Sequence, residues 1–246
     1  YLPENNVFER KDLKWITRLV AKNAASITTV SHDLREAMLC HGLYNEYEVI
    51  YNVVNTSLFR PAQKQGNEIK TMVHVSEFNE QAKNISGILR SIAILRKKRT
   101  DFKLNIIGYG PYEKQLKTLS DELELSGKYV FFIGKQVKQH LVNELNNSDF
   151  FVMFSNHENQ PVVIIEAFAM GLPVVATPVG GISEILSEKR GKLVPPGDEE
   201  ALANAMNEML DNYTNYDSIA IRNYAVDNFS YEKVGSKFYE LYLKLL

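Results

Sequence analysis

The stretch S-N-H-E-N-Q-P-V-V-I-I-E-A-F-A-M-G, Ser155 to Gly171, decides how this chain is read. An apolar run, Phe150 to Phe154, precedes it, and a second, Val174 to Thr177, follows through Pro173. Buried strand, polar elbow, short helix and next strand together make half of a parallel α/β unit. Pro161 suits the first helical position, where its missing N–H would have had no intrahelical partner, so Gln160 or Asn159 becomes the expected cap. Gly171 and Pro173 end the helix, glycine by tolerating the left-handed turn and proline by being unable to continue.

That placement gives the two carboxylates different settings. Glu158 falls in the elbow, at the rim where the carboxyl ends of parallel strands meet ligands. Glu166 falls inside a helix that is apolar almost all round, from Val162 to Met170, so its charge needs a partner. The plain alternative is a structural ion pair for Glu166 and a solvated loop acid in Glu158. Against that, the elbow offers free backbone N–H groups and the positive end of a helix dipole, which suit a phosphate.

Outward from this stretch, strand and helix signals alternate, and the expected fold class is α/β with a doubly wound parallel sheet. Expected strands cover Ile69–Val75, Phe102–Ile107, Tyr129–Ile133 and Gly191–Val194, with helices over Ile85–Lys97, from Gly108-Tyr109-Gly110-Pro111 to near Gly127, and over Val137–Leu145. Asp198 caps a further helix with Leu202, Ala205, Met206 and Met209 on its apolar side, and helices over Tyr216–Asp227 and Tyr231–Leu246 end the chain. Before residue 62 the pattern is helix Lys11–Ala24, strand Ser26–Val30, a helix capped by Ser31 through Cys40, and strand Glu48–Asn52. The polar run A-Q-K-Q-G-N, residues 62–67, reads as a linker.

Composition narrows the function classes. The 246 residues allow a substantial core, and a formal net charge of −2 gives no basic field for nucleic acid. The single cysteine, Cys40, excludes an internal disulfide framework and suits a reducing compartment. No apolar run approaches the roughly 18 to 20 residues of a membrane span and no signal peptide is visible, so the expectation is a cytoplasmic protein, peripheral to a membrane at most. The chain starts at Tyr1 rather than Met and is expected to be a fragment of a longer polypeptide. His32, His41, His74, His140 and His157 lack metal-ligand spacing, Ser155 sits in no G-x-S-x-G elbow, and there is no P-loop.

Glu158 and Glu166 resemble the E-x7-E motif of retaining glycosyltransferase family 4, in its S-x-x-E-x-x-P-x-x-x-x-E-A-x-A-x-G-x-P-V-V-A-T form, and Val179-Gly180-Gly181-Ile182-Ser183-Glu184-Ile185 resembles that family's V-G-G-x-x-E-I/L element. The resemblance implies a two-lobed GT-B enzyme. Residues 1–61 would be a remnant of the acceptor lobe, 68–230 the Rossmann-like nucleotide-sugar lobe, and 231–246 a helix packing back on the amino-terminal segment. It implies catalytic roles for Glu158, against the donor sugar, and Lys83, against the diphosphate. Glu166 would hold ribose hydroxyls, with Asn159, Gln160, Pro161, Val162, Gly180 and Gly181 near the phosphates, Gly108 and Gly110 beside the donor, and Gly134 to Val137 at the base. The donor would be a UDP- or GDP-sugar and the acceptor a glycan or lipid-linked molecule, with no cofactor and no metal. One departure stands out: many members carry Arg where this chain has Glu77, a carboxylate that would repel a diphosphate. A non-catalytic nucleotide-sugar-binding module and a two-lobed nucleotide-sugar epimerase remain as alternatives.

Overall fold

The computed structural model describes residues 11–62 and 69–246, so the expected linker at 62–67 lies outside the described residues apart from Ala62. The amino-terminal segment runs α1 (Lys11–Asn23), β1 (Ile27–Thr29), α2 (His32–Cys40) and β2 (Tyr47–Val49), with β1 and β2 paired in parallel. The main lobe follows as β3 (Lys70–Glu77), α3 (Glu80–Lys83), α4 (Ile85–Leu95), β4 (Phe102–Tyr109), α5 (Glu113–Glu122), β5 (Val130–Gly134), α6 (Gln139–Asn146) and β6 (Phe150–Met153). It continues as α7 (Val162–Ala169), β7 (Val174–Ala176), α8 (Ile182–Ile185), β8 (Gly191–Leu193), α9 (Glu199–Asn212), α10 (Ser218–Phe229) and α11 (Tyr231–Leu245).

Six strands form one parallel sheet in the order β5-β4-β3-β6-β7-β8. This is the doubly wound Rossmann-like order, and the α/β fold class read from the sequence is the one observed. The reason is visible in β6, whose Phe150, Phe151, Val152 and Met153 are all buried, as a strand covered on both faces requires. Side chains alternate between two cores. Val73, Phe151, Met153, Val174 and Ala176 pack under α6, α7 and α10, while Met72, Leu104, Phe150, Val152 and Val175 pack under α4, α5 and α9. Each fully buried Phe, Leu or Ile contributes about 1.5–3 kcal/mol relative to exposure.

Chain order reverses between β3 and β6, and their ladder covers only Met72↔Phe150 and Val73↔Phe151. Beyond those pairs the strands diverge and leave a crevice at their carboxyl ends, where doubly wound folds bind ligands. The amino-terminal segment is fastened beside it. Arg222 of α10 donates to the carbonyls of Thr56, Phe59 and Ala169, and α11 sets Val234, Phe238 and Leu241 against Ile50 and Val53.

Most boundaries shift by a residue or two from the sequence reading, and two differences have a clear physical cause. Pro161 is not in the first turn of α7 but is its cap, with extended backbone (φ −71°, ψ 117°) and no capping side chain. Neither Gln160 nor Asn159 caps the helix, because the Gln160 carboxamide is drawn to the amino-terminal segment, its Oε1 accepting from the Asn52 N–H at 2.5 Å. Helix α5 stops at Glu122 rather than near Gly127, where Glu124 (φ +53°) turns the chain and Leu125 N–H returns to the Ser120 carbonyl.

Candidate active site

Two loops face each other across the crevice. The first leaves β3 and forms α3, a single turn capped by the Asn79 side chain, which accepts from Ala82 N–H, and closed by Asn84 in the left-handed region (φ 47°). The Glu80 carboxylate folds back onto the start of α4, accepting from the N–H groups of Ile85 and Ser86. Lys83 is therefore held at the end of a short, well-braced element. The second loop leaves β6, and its backbone is tied to the first: Asn156 N–H donates to the Ala82 carbonyl at 2.8 Å and His157 N–H to the same oxygen at 3.2 Å.

This lacing brings the Lys83 ammonium to 2.6 Å from Glu158 Oε1, an oxygen that also accepts from the Ser155 hydroxyl at 2.8 Å. The Glu158 side chain is only 8% exposed, so the pair sits largely out of water, where its attraction is less screened than on a surface. Behind it, Gly180 (φ +56°) and Gly181 let the loop after β7 press onto the elbow. A Cβ on Gly180 would lie 1.8 Å from the Glu158 carbonyl, and Gly181 N–H donates to the Asn159 carbonyl at 2.6 Å.

The pair opens into a cavity of about 530 Å³ lined by Lys83, Glu158, Asn159 and Gly180 together with Ala82, Asn156, His157 and Val179. Its opposite wall was not foreseen from the sequence. It is α2, contributing Asp33, Leu34, Ala37 and Met38, with His41 just after its end. Glu184 docks that helix on the main lobe, its carboxylate accepting from the N–H groups of His32 and Asp33 at 3.0 Å each.

Glu166 lies on α7 with no ion pair among the described residues, so the structural Arg or Lys partner is absent. Burial pushes its carboxyl up to about 7. Ahead of it, the first intrahelical bond of α7 is made by Ile164 N–H to the Pro161 carbonyl, which leaves the N–H groups of Val162 and Val163 without such partners. Val162 is exposed, whereas Gln160 is 4% exposed and turned toward Asn52 with its Nε2 unpartnered.

Other predicted positions fall elsewhere along the carboxyl edge. Gly108 and Gly110 meet the protein's own backbone: a Cβ on Gly108 would stand 1.8 Å from the Ser76 carbonyl oxygen, and one on Gly110 2.7 Å from Phe78 N. Gly134 (φ +78°), the last residue of β5, faces open space, and Val137, three residues beyond it, is exposed. Glu77, the position of the departure, is exposed at the end of β3 and pairs in register with Tyr109. Among the described residues no group of three or more His, Cys, Asp or Glu side chains is arranged to hold a metal ion, and no helix is long and apolar enough to cross a membrane.

The Glycosyl transferases group 1 family matches residues 56–225, which span every element of this crevice except the α2 wall. The chain belongs to that family. Among curated group 1 relatives, N-acetyl-alpha-D-glucosaminyl L-malate synthase of Bacillus anthracis is 26% identical over 234 residues, covering 89% of this chain and 60% of its own length. Alpha-monoglucosyldiacylglycerol synthase of Streptococcus pneumoniae is 25% identical across 99% of this chain and 57% of its own. The chain thus spans about 60% of the length of these relatives. The solved structure of Anabaena HepE in complex with UDP superimposes with a TM-score of 0.85 at 19% identity, covering 99% of this chain and 70% of that one, a likeness of fold.

Proposed function

We propose that this chain is the donor-binding part of a retaining glycosyltransferase that moves a sugar from a nucleoside diphosphate to a glycan or lipid-linked acceptor. The observation that carries the reading is the Lys83–Glu158 pair, 2.6 Å apart at the mouth of the crevice between β3 and β6. A ligand fitting there brings an anion to the ammonium and hydroxyl groups to the carboxylate, and a sugar diphosphate carries both. The named activities of the group 1 relatives, and the UDP held by HepE, agree with that ligand class.

In the proposed reaction the bond between the anomeric carbon and the diphosphate oxygen breaks, an acceptor hydroxyl oxygen bonds to the same face of that carbon, and the hydroxyl proton passes to the departing phosphate. Lys83 and the N–H groups at the start of α7 stabilise the charge gathering on the leaving phosphate. Glu158, fixed by Ser155 and Lys83, orients the sugar and balances its oxocarbenium-like centre. Glu166 accepts from the ribose hydroxyls, and Gly134 to Val137 flank the base. No covalent nucleophile and no metal enter the scheme. The site of action is proposed as cytoplasmic, with peripheral membrane contact where the acceptor is lipid-linked.

Calorimetry of this chain against UDP, GDP and their sugars tests the reading, and binding of one nucleotide series that Lys83→Ala weakens is the expected result. No binding of either series overturns it. Binding by this chain combined with no transfer by a protein that also carries the whole acceptor lobe points instead to a nucleotide-sugar-binding module.

A further inference from the structure

His74 lies in the middle of β3, between Val73 and Val75, and is completely buried. An apolar residue would satisfy packing there, and a buried imidazole costs free energy unless both its nitrogens are partnered. Both are. Nδ1 lies 2.9 Å from the Val152 carbonyl oxygen on β6 and Nε2 lies 2.7 Å from the Ser76 hydroxyl. A carbonyl only accepts, so Nδ1 carries the proton and Nε2 accepts from the Ser76 O–H.

The position of this bridge gives it a task. The β3–β6 ladder ends at Val73↔Phe151, one residue before His74 and Val152. Where the main chains stop bonding to each other, the imidazole spans the gap from the β3 side to the β6 side. Just beyond Ser76 the chain leaves for α3 and Lys83, and just beyond Val152 it leaves for Ser155 and Glu158. The two loops that carry the ammonium and the carboxylate, laced to each other at Ala82, therefore both start from strand ends that this ring ties together.

We propose that His74, acting through Ser76 and the Val152 carbonyl, is a positioning residue that fixes the spacing of Lys83 and Glu158 at the mouth of the crevice. The inference rests on the reading of that mouth as the donor site, and adds to it a clamp outside the family motif. It acts at one remove, since the buried ring itself touches no substrate.

The test reads the ion pair directly and then its consequence. In the ¹⁵N-labelled chain, an ammonium held by a carboxylate exchanges slowly and gives a side-chain NMR signal, which Lys83→Arg removes and so assigns. His74→Leu and Ser76→Ala are compared with Ser91→Ala, which deletes another buried hydroxyl, one bonded to the Gly87 carbonyl within α4. Ser76→Ala changes one atom and keeps the test standing if His74→Leu fails to fold. The expected result is loss of the Lys83 signal in both clamp variants and a nucleotide affinity roughly 5- to 10-fold weaker, the worth of one buried hydrogen bond. Ser91→Ala lowers the melting temperature and leaves both readouts alone. Clamp variants that melt earlier but keep the signal and the affinity overturn the proposal, as does absence of a Lys83 signal from the unmodified chain. If the signal behaves as expected while no chain binds nucleotide, the clamp stands and the donor-site reading falls.

Discussion

Replacing Glu166 by Gln tests the electrostatics of the α7 helix most directly. Burial raises this carboxyl from the ordinary 4.5 to about 7, with no cation among the described residues to offset it. A raised carboxyl pKa contributes stability that is complete below pH 4.5 and is lost as the pH climbs through about 7, because the unfolded chain releases the proton first. At ~1.36 kcal/mol per pH unit, the gap between those two values amounts to about 3 kcal/mol at pH 8, an upper figure because part of the side chain reaches solvent. Glu166→Gln keeps the shape and removes the titration. The variant should match the parent at pH 4.5 and exceed it at pH 8 by up to about 3 kcal/mol, or roughly 6–12 °C in melting temperature for a chain this long. Urea unfolding of both proteins at intervals of half a pH unit reads the difference, and titrations elsewhere in the chain cancel in the subtraction. Hydroxyl donors on a bound nucleotide favour the ionised carboxylate, so parent affinity should rise with pH up to about 7 and the Gln variant should show no such rise. A constant stability difference from pH 4.5 to 8 refutes the reasoning.

Three further changes probe the elements that build the site. Lys83→Ala leaves the 8%-exposed Glu158 side chain with only the Ser155 hydroxyl, and nucleotide affinity should fall by about 1.5–3 kcal/mol, the worth of a charge-assisted hydrogen bond; calorimetry showing no change removes Lys83 from the site. Gly180→Ala places a Cβ 1.8 Å from the Glu158 carbonyl at φ +56°, so the elbow must shift; a loss of roughly 1–3 kcal/mol in urea unfolding should accompany weakened nucleotide binding, and a variant unchanged in both contradicts the close approach. Asp198→Ala removes the oxygen that accepts from Ala201 N–H at the start of α9 and should cost about 1 kcal/mol of stability, read as a lower urea midpoint at unchanged slope.

The fold was legible because its signals are local. A five-residue apolar run rich in aromatics such as Phe150 to Phe154 reads as a strand buried on both faces, and Ser31 and Asp198 cap the helices they were expected to cap. What escaped the sequence depends on residues far apart along the chain. Helix α3 is four residues long, below the length at which periodicity shows, and is held by Ala82 accepting from Asn156 and His157. Pro161 became a cap because Gln160 found Asn52 across 108 positions. The α2 wall of the cavity is the same kind of case: its placement depends on Glu184 reaching the N–H groups of His32 and Asp33, and no spacing along the chain announces that contact. Ser155 was the nearest to being readable, since a hydroxyl three residues before an elbow carboxylate is within reach of it.

The charge pattern at the mouth also says what the site lacks. Of the described residues lining the cavity, Lys83 is the one lysine or arginine, and one of its three N–H donors is already engaged by Glu158. The exposed Glu77 stands at the end of β3, where an arginine would have supplied a second cation. In the proposed reading, a diphosphate held here meets a single ammonium among the described residues plus oriented backbone N–H groups, and those dipoles carry no counterions to release. Nucleotide affinity should therefore weaken only gently between low and physiological salt, as expected when fixed dipoles share the work with one partly buried cation. It also follows that Glu77→Arg, which restores a cation at the strand end, should tighten the diphosphate and steepen the salt dependence together. Calorimetry at two ionic strengths separates this from a Glu77 turned away from the crevice, for which the substitution changes neither quantity.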